Sequence, residues 1–254
     1  MSELAFHKLL LATATVLPLA ARVAGADPIS GVDGWVLAPV NFNVQSPYNL
    51  PTSDRYSYSD GVYHLWVYNT DEPFSKGNTT RPRTEQRFTP DYTSGEVQYA
   101  SDMLVPSGTS NVCIFQIHTG DAYSSEYGAT TFMLFWYSSD GGSLHDYDGK
   151  ELASGLTGDW FHLNVNDDLV NHTITVWVNN QQVWTQQDNK APDFYMKDGV
   201  YMQSGGSSEM QDYIKNIEFW THSGVPVPAP GSLPMVFMGT AMLMLSRRGW
   251  KAVH

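Results

Sequence analysis

Three short stretches of this 254-residue chain carry chemically capable side chains at a spacing of two. They are Arg83, Glu85 and Arg87; Gln116 and His118; and Tyr195, Lys197, Tyr201 and Gln203. Successive side chains of a β-strand point to opposite faces, so each set shares one face if its stretch is a strand. The intervening positions in the second and third stretches are mostly apolar: Ile117 with Phe115 beside it, then Met196, Val200 and Met202. A sheet built from these strands has a packed back and a front of guanidinium, ammonium, amide, imidazole and phenol groups. Such a front suits an extended polyanion. Taken singly, each residue also has a quieter role. Arg83 and Arg87 can pair with Glu85 along a strand, and surface pairs of that kind contribute little. His118 can be a hydrogen-bonded sheet residue, and Tyr195 and Tyr201 ordinary strand aromatics. The shared face and the co-occurrence of the three stretches make them a candidate site.

The elements that must position these residues read as strands. No long stretch of the middle keeps a helical period; short alternating runs separated by turn residues point to a sandwich or barrel. Val62 to Tyr68, Val97 to Val105, Thr130 to Tyr137, Thr173 to Val178 and Tyr213 to Trp220 are strand runs, and Asn179-Asn180 offers a hairpin turn before Gln181. About ten strands in some 190 residues favour a single-domain, all-β, two-sheet jelly roll of the concanavalin-like sandwich type. Residues 107–110 and 119–128 are expected to form loops near the front face.

The ends lie outside that domain. Residues 1–26 read as a secretory signal: Lys8, an apolar run from Leu9 to Leu19, then Ala24-Gly25-Ala26. Residues 27–224 form the expected jelly-roll domain and 225–232 a Pro-rich linker. Residues 233–254 are an apolar run followed by Arg247, Arg248 and Lys251. The thirteen residues from Leu233 to Leu245 span about 20 Å as a helix, short of a roughly 30 Å hydrocarbon core. This tail resembles the PEP-CTERM sorting tails of Gram-negative bacteria, with Ala229 where Glu is usual. The resemblance implies export through the inner membrane to the cell surface or medium, with transient contact to the membrane or sorting machinery; the alternative for the tail is a weak membrane anchor.

Residues 27–224 hold nine Lys and Arg against 25 Asp and Glu, a formal charge of −16, which argues against nucleic acid as a partner class. A polyanion-binding front therefore has to be a local positive patch, which Arg81, Arg83 and Arg87 can supply. Cys113 is the sole cysteine, so no intramolecular disulfide forms. Its apolar neighbours make it a small buried hydrophobe. The eight His and one Cys show no zinc spacing, and no metal or cofactor is expected. A structural calcium in the acidic loops has no motif behind it. A monomer is expected.

The order and spelling of the three stretches identify a family. Arg83-Thr84-Glu85-Gln86-Arg87 resembles the R-[ST]-E-L-R segment of polysaccharide lyase family 7, the alginate lyases. Gln116-Ile117-His118 matches that family's Q-[IV]-H, and Tyr195 to Gln203 is similar to its Y-F-K-A-G-x-Y-x-Q. Gln86 stands in place of Leu, Asp198 in place of a small residue and Met196 in place of Phe, all on the expected back face. The resemblance implies a jelly roll that cleaves polyuronates by β-elimination, an exported lyase acting on an anionic polysaccharide, alginate first. It implies that Arg83, Gln116 and His118 surround the uronate carboxylate and that Tyr201 protonates the leaving oxygen. Either Tyr201 or His118 takes the C5 proton; ionising a free tyrosine at pH 7 costs roughly 4 kcal/mol, whereas histidine titrates near 6.5. Arg87, Lys197, Tyr195 and Gln203 would contact substrate, and Glu85 would hold an arginine in place. His64 is similar to a histidine of the glucuronan lyases, family 20, and reads as a core or support residue. Other functions on such a fold are a lyase for glucuronan, a non-catalytic carbohydrate-binding protein and a glycoside hydrolase. The hydrolase needs a pair of facing carboxylates that the sequence does not offer.

Overall fold

The computed structural model describes residues 34–223; the leader, linker and sorting tail inferred from the sequence lie outside them. Fifteen strands, numbered in chain order, form two antiparallel sheets among the described residues. One sheet runs β13 (Gln181–Gln187), β12 (Thr173–Val178), β11 (Phe161–Asp168), β6 (Glu96–Leu104), β15 (Glu209–His222), β4 (Val62–Tyr68) and β3 (Tyr56–Ser59), with β1 (Trp35–Ala38) paired to the far end of β15. The other runs β10 (Glu151–Ala153), β9 (Ser143–His145), β8 (Thr130–Tyr137), β7 (Val112–Thr119), β14 (Phe194–Met202), β5 (Arg83–Thr89) and β2 (Asn41–Gln45). Helix is confined to short turns such as α1 (Ser124–Tyr127). This is the two-sheet jelly roll that the alternation of the sequence anticipates.

Alternation explains the layering. Leu65, Val67, Tyr99 and Met103 from the first sheet meet Ile117, Phe132, Leu134, Trp136, Met196 and Val200 from the second in one continuous core. The strand count exceeds the expected ten because four strands, β1, β3, β9 and β10, are only three or four residues long. Such pieces are too short for a period to register. The Asn179-Asn180 turn joins β12 to β13 with both residues at positive φ, 52° and 64°, as a tight type I′ hairpin requires.

The three sequence stretches fall on β5, β14 and β7, which are adjacent in the second sheet. Register puts Arg83 beside Tyr201, Arg87 beside Lys197, Lys197 beside Gln116 and Tyr195 beside His118. Their side chains share the face turned away from the core. Glycine is required at one point of this arrangement. Gly199 sits at φ +115°, and a Cβ there would lie 2.5 Å from the Thr84 carbonyl oxygen and 2.8 Å from Leu65 Cδ2. Only the missing side chain lets β14 run this close to β5. A bulge in β7 between Cys113 and Phe115 turns both Ile114 and Phe115 into the core and shifts the alternation of Gln116 and the residues after it.

The unusual back-face residues are buried as their positions in the strands demand. Gln86 is fully buried, with its amide nitrogen 3.5 Å from the Tyr56 hydroxyl and its carbonyl oxygen unpartnered. Asp198 accepts a 2.6 Å hydrogen bond from the Tyr99 hydroxyl between the sheets. His64 belongs to the other sheet: it stacks between Trp66 and Tyr213 and bonds Gln211, remote in topology from the β5–β14–β7 face.

Candidate active site

A surface trough of about 490 Å³ opens over β5, β14, β7 and β8, lined by Thr80, Arg83, Gln116, His118, Thr130, Met133, Phe135, Tyr147, Tyr201 and Gln203 among others. Its volume lies within the roughly 300–1,000 Å³ range of small-ligand clefts. Arg83, Gln116, His118 and Tyr201, which stand far apart in sequence, line this single opening.

Glu85 is the hub beneath it. One carboxylate oxygen accepts from Gln116 Nε2 at 2.6 Å; the other accepts from Arg83 at 3.1 Å and lies 3.7 Å from Lys197 Nζ. The amide of Gln116 is thereby fixed with its second N–H still available. Arg83 is further held against aromatic faces, its guanidinium carbon 3.8 Å from the Tyr201 ring centre and 5.2 Å from that of Phe74. A planar, delocalised cation tolerates this stacking while keeping its in-plane donors for a carboxylate.

A second stack fixes the imidazole. The Arg87 guanidinium lies 3.9 Å over the Tyr195 ring, and Tyr195 stacks on His118 at 4.7 Å and 17°. Arg87 is anchored by Asp91, and the Tyr195 hydroxyl donates to Asp121. His118 Nδ1 lies 2.7 Å from the Thr119 carbonyl oxygen. A carbonyl only accepts, so Nδ1 carries the proton and Nε2 of the neutral ring is left with its lone pair. Burial, reinforced by the nearby Lys197 ammonium, holds His118 below the ordinary histidine value, so the neutral form persists at neutral pH.

The expected contact residues divide by depth. Tyr195 and Lys197 are only 3% and 2% exposed and form the layer under the floor. Lys197 bonds Gln45 at 2.9 Å as well as facing Glu85, and burial lowers its pKa. Burial and the Asp121 carboxylate raise that of Tyr195. Gln203 lines the trough, with its amide donating to the Tyr201 carbonyl oxygen. Arg87 is turned into its stack with Tyr195 and its pair with Asp91. Cys113 is buried in the row between Tyr201 and Phe135, and burial raises its pKa. Tyr147, Phe135, Met133 and Thr130 also line the trough but were not singled out in the sequence. The first lies in an irregular turn, and the others look like plain strand residues. No group of three or more His, Cys, Asp or Glu able to hold a metal occurs among the described residues.

Comparison with known proteins places the chain in a family. The family model described as alginate lyase matches residues 35–221. The citrate-binding protein of Hevea brasiliensis is 38% identical over 197 residues, covering 77% of this chain and 79% of that protein. Among solved structures, an alginate lyase from Pseudomonas aeruginosa superposes with a TM-score of 0.58 at 18% identity, covering 71% of this chain and 97% of its own. One from Corynebacterium sp. gives 0.54 at 17%, covering 77% and 98%. At these identities the structures speak for the shared jelly roll, while the family model spans almost every described residue. The chain belongs to the alginate lyase family.

Proposed function

We propose that the protein is a polysaccharide lyase that cleaves a polyuronate, alginate first, by β-elimination in this trough. The observation that carries the reading is the convergence of Arg83, Gln116, His118 and Tyr201 from three adjacent strands on one opening. The C5 proton of a uronate lies alpha to its carboxylate, and removing it spreads negative charge onto that group. Arg83 and Gln116, both locked by Glu85, are fixed donors for the growing charge and need no reorganisation as it forms. His118 Nε2 takes the C5 proton. The C5–H electrons become the C4=C5 double bond, the C4–O4 bond breaks, and the departing oxygen takes a proton from the Tyr201 hydroxyl. That hydroxyl makes no hydrogen bond among the described residues and is free to do so. His118 is preferred as base because its tautomer and lowered pKa keep an unprotonated nitrogen at neutral pH.

Lys197 and Tyr195 act from beneath the floor in this scheme, and Gln203 and Arg87 meet neighbouring parts of the chain at its edges. Export from a Gram-negative cell belongs to the same proposal and rests on residues 1–26 and 225–254 alone.

One observation favours a second reading. The Hevea relative is named for citrate binding, and the same carboxylate donors suit a small tricarboxylate held without chemistry. Incubating the purified protein with alginate blocks and with glucuronan, while following the near-ultraviolet absorbance of the unsaturated uronate end, separates the two. The lyase reading expects a rise with at least one polymer and its loss in Tyr201→Phe. Citrate binding with no absorbance change on any polymer overturns it.

A further inference from the structure

The trough has two ends of different chemistry. Cross-strand register forms one row on its floor: Arg83, Tyr201, Cys113, Phe135 and His145, from β5, β14, β7, β8 and β9. The reacting groups occupy the β5–β14–β7 side. On the β8 side the lining turns apolar, with Met133 and Phe135, and Tyr147 packs on Phe135 at 6.0 Å between ring centres.

Tyr147 is the most exposed aromatic among the described residues, at 66%. Its hydroxyl has no partner among them. The turn that carries it does not need the ring. Asp146 is buried; its carboxylate accepts from the Lys150 N–H, and its backbone exchanges bonds with Lys150 and Gly149. His145 Nδ1–H donates to the Gly149 carbonyl. A rigid turn thus holds a large ring at the rim of the site, touching Phe135 along one side and leaving most of its surface in water.

We infer that Tyr147, seated on Phe135, is a stacking platform for the sugar ring next along the chain from the one whose carboxylate is clamped. This deepens the lyase reading and rests on it. The Phe135 and Tyr201 backbones stand two strand spacings apart, roughly 10 Å, which carries the platform past the reacting ring. A pyranose offers an apolar C–H face to an aromatic ring. Citrate has no such face and is too small to bridge clamp and platform. Tyr147 therefore selects polymer over small acid, and it is a specificity-determining residue with no part in proton transfer.

The test compares Tyr147→Ala, Tyr147→Phe and Tyr147→Trp on long alginate chains, with oligouronate and citrate affinities titrated in the Tyr201→Phe background. Tyr147→Ala is expected to raise KM and weaken oligouronate binding by about three- to tenfold, with kcat changed by less than about twofold. Phe and Trp should keep wild-type values, and citrate affinity should not move. Unchanged KM and affinity in Tyr147→Ala, or a fall in kcat at constant KM, overturns the platform. If no polymer is cut even by the wild-type protein, the lyase reading fails alone. The oligouronate titration then decides the platform by itself, a loss in Tyr147→Ala supporting it and equal affinity overturning it.

Discussion

At the scale of single residues, the site depends on how each side chain is held as much as on which it is. Glu85 shows this best: one buried carboxylate orients a guanidinium and an amide and faces an ammonium. Its place beside Arg83 was legible from the spacing of two, whereas its bond to Gln116 crosses 31 positions and needed the register of β14 between them. His118 was legible as a polar residue on the right face. Its tautomer was not, because that is set by the Thr119 carbonyl in the folded chain. Because burial and Lys197 depress the His118 pKa, the proposed base stays unprotonated further into acid than an ordinary histidine. The acid limb of kcat/KM should fall at a pH below the usual value of about 6.5. His118→Asn should lower turnover by about 10²- to 10⁴-fold and leave polymer affinity and Tm near wild type. A pH profile with its acid limb above the usual histidine value, or an active His118→Asn, contradicts the assignment.

At the scale of elements, what matters is that β7, β14 and β5 are neighbours in the sheet though the chain visits them in another order. Period-two patterning marks each strand and its inner face but carries no information about which strand lies beside which. That the three stretches share one sheet was expected from their like polar faces and from the family resemblance. Patterning also fails at irregularities: the bulge that sends both Ile114 and Phe115 inward breaks the alternation ahead of Gln116, and His64 alternates correctly yet serves the other sheet. Tyr147 carries no signal, because a turn has no period. Gly199 is the point where sequence and element geometry agree most closely. Gly199→Ala would put a Cβ against the Thr84 carbonyl and Leu65 at a positive φ, at a cost of about 1–3 kcal/mol. It should lower Tm by several degrees. Activity should fall too, since β14 must shift from β5 and loosen the contact between Arg83 and Tyr201. An unaltered melting curve would show that the strands do not need this approach.

At the scale of the whole molecule, the strongly acidic domain carries part of its acidity into the core. Asp167, Asp198 and Asp212 are buried without a cationic partner among the described residues. The first two accept hydrogen bonds from Tyr92 and Tyr99, whereas the carboxylate of Asp212 has only the neighbouring Tyr213 backbone N–H to favour its charged form. Burial pushes Asp167 up to about 7 and Asp198 to about 8, and raises Asp212 well above the usual range. The folded protein keeps protons that the unfolded chain releases above about pH 4. The unfolded state therefore binds fewer, and stability falls as pH rises from about 4 through about 8. Melting temperatures should be higher at pH 5 than at pH 8, and Asp198→Asn should flatten the slope. A Tm that climbs across this window would contradict the interior described here. Composition announced the acidity, and strand alternation placed Asp198 on the packed back face, but Asp167 and Asp212 carried no such signal because neither lies in a stretch singled out by its pattern. The proposed activity requires that the trough remove a proton from C5 and expel the glycosidic oxygen. Digesting alginate in heavy-oxygen water and weighing the fragments tests this most directly. Elimination predicts shortened chains with unsaturated ends and no label beyond exchange, absent with Tyr201→Phe. Label in the new reducing ends would mean hydrolysis, and intact polymer a binding protein; either contradicts it.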